Sequence, residues 1–304
     1  MTAQPMTAPA TGTGDSPQGL AFAVSAYLMW GVLPLYLKLL SHLSPFEVVA
    51  HRIVWSVPLA GALLIALGRT GDLRRALVHP RTLAQGALTA ALITVNWGVY
   101  IWAINSGHTL DAALGYYINP LFSVFLGAVL LREKLGRAQI AALLLAAVAV
   151  VILAVENGRI PWLSLLLTFS WGFYAFFKKS LPIGPNQGFL LEVLILLPPA
   201  LGYILYLSVT GGSHFGGFDH DTFLLMVGGA VTAIPLIIYA NGAKLLRLST
   251  IGILQYITPT MVFLAAVFLF GEPVGRGQMI AFPLIWLALV IYTGALIRQS
   301  RRRG

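Results

Sequence analysis

A 23-residue stretch of this chain occurs twice. Gly115 to Arg137 reads GYYINPLFSVFLGAVLLREKLGR, and 139 positions further on Leu254 to Arg276 reads LQYITPTMVFLAAVFLFGEPVGR. Tyr117, Ile118, Pro120, Glu133, Gly136 and Arg137 recur as Tyr256, Ile257, Pro259, Glu272, Gly275 and Arg276. The chain is an internal duplication, so whatever one half folds into constrains the other. Each copy is too apolar, and too long between charges, to be a strand or a surface helix of a soluble domain; it reads as a membrane helix with a central proline. Paired, proline-interrupted membrane helices at matching places in two halves point to a transport site.

Composition sets the class. With 58% hydrophobic and 10% charged residues over 304 positions, and a mean hydropathy of +0.84, the side chains must be buried in lipid or between helices. The formal net charge of +9 does not indicate a nucleic-acid partner, because no soluble domain is long enough to carry a basic patch. There is no cysteine, hence no disulfide framework and no thiolate metal site. Ten apolar spans are expected, at 19–40, 45–67, 82–106, 111–131, 138–155, 161–180, 188–209, 222–243, 249–270 and 277–297. Each is near the roughly 20 residues that cross about 30 Å of hydrocarbon. Residues 1–18, rich in Pro, Thr, Ala and Gly, read as a disordered tail, not a secretory leader. Residues 19–155 and 161–298 form the two repeats, and 299–304 a basic tail.

Orientation follows from the bases. With the N-terminus cytoplasmic, the inner loops and tail hold Arg69, Arg74, Arg75, Arg81, Arg132, Lys134, Arg137, Lys178, Lys179, Lys244, Arg247, Arg298, Arg301, Arg302 and Arg303. The outer loops hold only Arg159 and Arg276, while Lys38 and Arg52 belong to spans 1 and 2. That asymmetry places both termini in the cytoplasm. The repeat also extends beyond the duplicated stretch: Trp30-Gly31 returns as Trp171-Gly172, Lys38 as Lys179, Pro45 as Pro185 and Tyr100 as Tyr239. Five spans per copy is an odd number, so the second copy enters the membrane from the opposite side. The expected fold is an all-α polytopic membrane protein, ten transmembrane helices as an inverted repeat of two five-helix halves.

Two five-span copies, each ending in a Glu-to-Gly-Arg segment followed by Gln139 or Gln278, resemble the EamA branch of the drug/metabolite transporter superfamily. Span 1 and the YINP segment around Tyr117 look most like its RarD group, which is similar to the bacterial amino-acid exporters of that superfamily. The resemblance implies a multi-pass, alternating-access secondary transporter in a bacterial inner membrane, needing no cofactor and exporting amino acids or similar small neutral or zwitterionic metabolites. Relatives in the superfamily also export drugs. A multidrug or quaternary-amine efflux carrier, and a non-transporting receptor or structural protein, are therefore the alternatives.

The candidate site is drawn from polar groups at mid-depth. Asn96, Trp97, Tyr100, Tyr116, Tyr117, Asn119, Trp171, Tyr174, Tyr239, Asn241, Gln255, Tyr256 and Thr258 fall near span centres, with no Asp or Glu among them. Amides and phenols at such depth face other helices or a wet cavity rather than lipid. Asn96 and Tyr100 stand at i and i+4, Trp171 and Tyr174 at i and i+3, so each pair shares a helix face. Such stripes serve either as a solute-binding lining or as hydrogen-bonding glue between helices. Trp30 and Trp171, about 15 Å from either membrane edge by helix rise, do not fit an interfacial belt. The substrate-binding set is thus Trp30, Asn96, Trp97, Tyr100, Tyr117, Asn119, Trp171, Tyr174, Tyr239, Gln255 and Tyr256, around a small-molecule solute.

Glu47, His51 and Arg52 in span 2 are candidates for a gate or for carboxylate recognition, with Glu47 expected to pair with His51 or Arg52. Pro120 and Pro259 are candidate hinges. Glu133 and Glu272 are expected to pair with Arg137 and Arg276 four residues on. His214, Asp219, His220 and Asp221 share a loop but match no metal-ligand pattern. No G-x-S-x-G or H-E-x-x-H motif and no central carboxylate pair suggests an enzyme. Without a central acid, the expected carrier is a facilitator or exchanger. Nothing in the residues speaks to oligomeric state.

The absence of native cysteine makes the orientation directly testable. A cysteine introduced at Gly211 is expected to react with an impermeant thiol reagent outside intact cells, and one at Thr70 only after permeabilisation. The reverse labelling pattern would reverse the orientation.

Overall fold

A computed structural model describes residues 16–303 of the chain, except 131, 133, 134, 218, 244 and 247. Most of the N-terminal tail, and Glu133 with its expected pairing to Arg137, lie outside the described residues. Every described element is helical. Helix α1, Pro17–Leu39, starts where Ser16 Oγ accepts from the Gly19 N–H at 3.4 Å and Pro17 takes the first helical position. Pro17 and Gln18, read from the sequence as part of the tail, are therefore helical. Pro45 and Pro80 open α2, Pro45–Ala66, and α4, Pro80–Asn105, in the same way. Between them lies α3, Thr70–Val78, a short polar-faced helix in what reads as a loop.

The chain continues as α5, Thr109–Leu130; α6, Arg137–Glu156; α7, Trp162–Lys179; α8, Pro185–Thr210; and α9, His220–Ala243. It ends with α10, Leu248–Leu254; α11, Ile257–Leu264; a π-helical turn, Ala265–Leu269; and α12, Arg276–Arg303. Among the described residues, eight helices are long and apolar enough to cross a membrane: α1, α2, α4, α5, α6, α8, α9 and the Arg276–Ala295 part of α12. Helix α7 carries Ser, Thr, Trp, Tyr and two terminal lysines along 18 residues and falls below that hydropathy.

The expected span at 249–270 is not one helix. Pro259 offers no N–H to the preceding turn, and the chain breaks at residues 255–256, where the Tyr256 N–H reaches back only three residues to the Ile253 carbonyl at 3.2 Å. Eight residues later the hydrogen bonding widens, with the Phe270 N–H donating to the Ala265 carbonyl at 2.9 Å. Pro120 has no such effect: it is buried inside a continuous α5. The two candidate hinges thus sit in different surroundings, one in an unbroken helix and one beside a break.

The helices pack around two apolar cores. The first is built from α1, α2, α4, α7, α8 and α9, and the second from α5, α6, α11 and α12. The main packing pairs are α6 with α12, α2 with α8 and α9, α1 with α9 and α11, α4 with α7 and α8, and α5 with α7 and α11. Outside these cores α6 presents Leu144, Val148, Val151 and Val155 outward, the surface a helix shows to lipid.

Small residues set the closest approaches, as expected where packing rather than water exclusion holds helices together. A Cβ built on Gly229 of α9 would fall on the backbone of Trp55 in α2. Gly229→Ala is expected to part α2 from α9 and cost about 1–3 kcal/mol, the range for overpacking a tight contact. A lowered thermal midpoint of the detergent-purified protein, with Gly61→Ala unaffected because nothing lies near that position, is the result that checks it.

Candidate functional site

Helix α4 carries Asn96 and Tyr100 toward α5 and α7, and sets Trp97 against Arg52 of α2. Asn96 is fully buried, and its amide is used on both sides. Its Nδ2 donates to the Leu167 carbonyl at 3.2 Å and to Ser170 Oγ at 3.0 Å, and its Oδ1 accepts from the Tyr116 hydroxyl at 3.0 Å. One side chain therefore ties α4 to α5 and α7. From Tyr116 a row of aromatic rings runs in both directions: Tyr100 lies at 5.3 Å between centroids and Trp171 at 6.3 Å, with Tyr174 5.7 Å beyond Trp171. The structure thus brings Asn96, Tyr100, Trp171 and Tyr174 together with Tyr116.

The row ends at a buried ion pair. The Tyr174 hydroxyl donates to Glu192 Oε2 at 3.3 Å, and Lys178 Nζ lies 2.7 Å from Glu192 Oε1. Sequence reasoning missed this pair. The available signal was a lone acid in the 26 residues of α8, 140 positions after Arg52 and so at the matching place of the second repeat.

At its other side the row faces Arg52 of α2. The Arg52 Nε donates to Thr232 Oγ1 of α9 at 2.8 Å, and its guanidinium carbon lies 4.9 Å from the Trp97 ring. Tyr36, Tyr116 and Tyr100 are its electrostatic neighbours. Its Nη1 is buried and has no acceptor.

Glu47 does not pair with His51 or Arg52. Its carboxylate is clamped by the loop before α9, Oε1 accepting from the His214 backbone N–H at 2.8 Å and Oε2 lying 2.9 Å from His214 Nδ1. His51 instead packs its ring on Phe215 at 4.6 Å, and neither ring nitrogen has a partner. Beside them His42 Nε2 lies 2.8 Å from Asp221 Oδ2. Three contacts thus fasten the α1–α2 corner and the first turns of α2 to the α8–α9 loop and the start of α9. Among the described residues, no group of three or more His, Asp or Glu side chains could hold a metal.

Glu272 also departs from expectation. Its two oxygens accept from the backbone N–H groups of Thr109 and Leu110, both at 2.9 Å, rather than pairing with Arg276. A carboxylate at the exposed donors of a helix start gains more than a solvated i,i+4 pair.

The remaining candidates lie apart from the row. Trp30 and Tyr239 close a triangle with Tyr27 between α1 and α9, with centroids 5.5–5.7 Å apart. Tyr117 points to the second core, its hydroxyl 2.7 Å from Thr260 Oγ1 and its ring against Phe282 and Trp286; Tyr256 belongs to the same core. Asn119 is buried in α5, where its Oδ1 has no partner. Gln255 stands at the break between α10 and α11. An open cleft of about 440 Å³ lies elsewhere, between the α4–α5 and α6–α7 turns and the start of α12, lined by His108, Asp111, Asn157, Arg159, Glu272 and Gln278. None of the candidate substrate-binding residues lines it.

Residues 17–155 match the EamA-like transporter family. Protein RarD of Streptomyces exfoliatus is 44% identical over 286 residues, covering 93% of this chain and 90% of that protein. The chain belongs to the EamA-like transporter family. It is a RarD-like member of the drug/metabolite transporter superfamily and a multi-pass membrane protein. An uncharacterized transporter of Bacillus subtilis, YojE, is 39% identical over 94% of this chain and 97% of its own. One solved crystal structure, 19% identical, superposes with a TM-score of 0.59 over 90% of this chain and 96% of that one, and shows the fold alone.

In this RarD-like transporter the Lys178–Glu192 pair is a test of how much a buried charge depends on its partner. Lys178→Met leaves Glu192, whose side chain is only 2% exposed, without a cation. The expected loss is about 3 kcal/mol, the low end for breaking a buried pair because the lysine is a fifth exposed. Lys178→Met with Glu192→Leu should recover most of the thermal midpoint, since two apolar side chains remove both desolvation costs.

Proposed function

We propose that this protein is an alternating-access exporter of amino acids or similar small neutral or zwitterionic metabolites in a bacterial inner membrane, with both termini cytoplasmic and two five-helix halves arranged as an inverted repeat. The observation that carries the carrier reading is the symmetry of the packing. With α1, α2, α4, α5 and α6 matched to α7, α8, α9, α10–α11 and α12, each of the main packing pairs has its mate: α2–α9 with α8–α4, α5–α7 with α11–α1, and α1–α9 with α7–α4. The pairs α6–α12, α2–α8 and α5–α11 map onto themselves. Close contacts follow suit. A Cβ on Gly31 would strike Met261 and one on Gly172 would strike Phe122, and both pairs of mates are separated by the repeat spacing.

The two aromatic groups, Trp30 with Tyr239 and Trp171 with Tyr100, are repeat mates and form opposing walls of the pathway in this reading. Asn96, Trp97 and Tyr174 complete the lining. Tyr117 and Tyr256 hold α5 and α11 against the second core. The Glu47–His214 contact acts as an outer gate, and the break before Pro259 is the more mobile of the two hinges, since a broken helix bends with fewer hydrogen bonds to lose.

Counterflow of radiolabelled L-leucine or L-phenylalanine in proteoliposomes tests this. Exchange is expected without an imposed pH difference. Trp171→Ala is expected to slow it about tenfold, the loss of an aromatic contact worth about 1.4 kcal/mol, with the protein inserted at normal levels. Full activity of both Trp30→Ala and Trp171→Ala would return these residues to packing.

A further inference from the structure

We infer that Arg52 is the anion-recognising group of the transport site. The solute it takes carries a carboxylate, which docks on the guanidinium, and an apolar or aromatic body, which lies along Trp97 and the neighbouring phenols. This assignment rests on the carrier reading above and narrows it.

Arg52 lies seven residues into α2, about 10 Å along its axis from the helix start, and is only 3% exposed. A cation at that depth is costly unless something answers it. What answers it here is incomplete. Thr232 takes one N–H, and the Trp97 ring covers the guanidinium. Both contacts are made to neutral groups, and Nη1 is left buried with no acceptor.

The buried acids of α2 and α8 are already engaged. Glu47, on the same helix, is held by His214 through both carboxylate oxygens. Glu192, at the matching place of the other repeat, is paired with Lys178 at 2.7 Å. Among the described residues no carboxylate forms an ion pair with Arg52. Two equivalent positions therefore carry two buried charges of opposite sign, one neutralised within the protein and one not.

The surroundings favour a carboxylate ligand. A guanidinium presents parallel N–H groups that match two carboxylate oxygens, which a point-charge ammonium does not. The stem of Arg52 is fixed: a Cβ on Gly228 would come within 3.0 Å of its Cγ, and the adjoining Tyr36 hydroxyl is tied to the Leu224 carbonyl at 2.8 Å. The fork is thus held in place against the aromatic row. An uncharged ester in the same position would leave the cation unanswered.

Ligand-induced thermal stabilisation of the full-length protein in detergent tests this, with L-phenylalanine, L-leucine and phenylacetate as probes against L-phenylalanine methyl ester and phenethylamine. At least one acid is expected to bind, with the ester and the amine weaker by more than about tenfold, as for sites that lose a buried polar partner. Arg52→Lys and Arg52→Gln are each expected to erase that discrimination. If neither variant folds, the acid-to-ester comparison on the unmodified protein decides. Equal binding of acid and ester, binding of the amine alone, or binding by none of the acids overturns the assignment. Counterflow of an amine or uncharged solute that persists in Arg52→Gln overturns it while leaving a carrier in place. Absence of counterflow for every solute overturns both.

Discussion

Inside hydrocarbon an amide has nowhere to put its hydrogen bonds except another part of the protein, and the arrangement of this transporter's centre follows from how Asn96 meets that demand. Its carbonyl and amine are satisfied by residues of two other helices, Tyr116 on α5 and the Leu167–Ser170 turn on α7. Those bonds bring the Tyr116 ring between Tyr100 and Trp171, and so line up the aromatic row that ends at Glu192. Without Asn96 the three helices would still pack, since their apolar faces and small residues are unchanged. They would lack the directional contacts that fix which rings meet.

Charge is treated differently from amide and phenol. Each buried or half-buried ion here is a separate case, decided by what lies across from it. Glu47 is answered by a loop histidine, Glu192 by a lysine one helix away, and Glu272 by the open end of α5. Arg52 is answered only by a hydroxyl and a ring face. In the proposed repeat the main packing pairs are matched between halves, while Arg52 and Glu192, 140 positions apart, carry opposite sign.

Some of the site was legible and some was not, for reasons that individual residues make plain. Asn96 with Tyr100, and Trp171 with Tyr174, were legible because helical spacing puts residues three and four apart on one face. Tyr116 and Tyr117 show the limit. They are neighbours in the chain and both buried, yet a turn of about 100° per residue sends one to Asn96 and the other to Thr260 and Trp286. Periodicity says that they face apart, not which of them faces the row. Local ion pairs misled for a similar reason. Glu47 and Glu272 have opposite charges four or five residues further on, but backbone N–H donors set in place by the fold, 167 residues away for Glu47, hold each carboxylate instead.

The sequence by itself determined that the chain is helical and lies in a membrane, and it carries one 23-residue stretch twice. Those properties depend on composition and on spacing along the chain: lipid admits only helices and closed barrels, and apolar runs of about 20 residues select the helix. It also marked where a proline would disturb a helix, though not that Pro259 stands beside a break while Pro120 lies in an unbroken helix. Tertiary structure alone decided which buried charges are answered and which aromatic rings share a wall. Those depend on contacts between helices distant in the chain, where a rotation of one residue exchanges one partner for another and no local pattern records the choice.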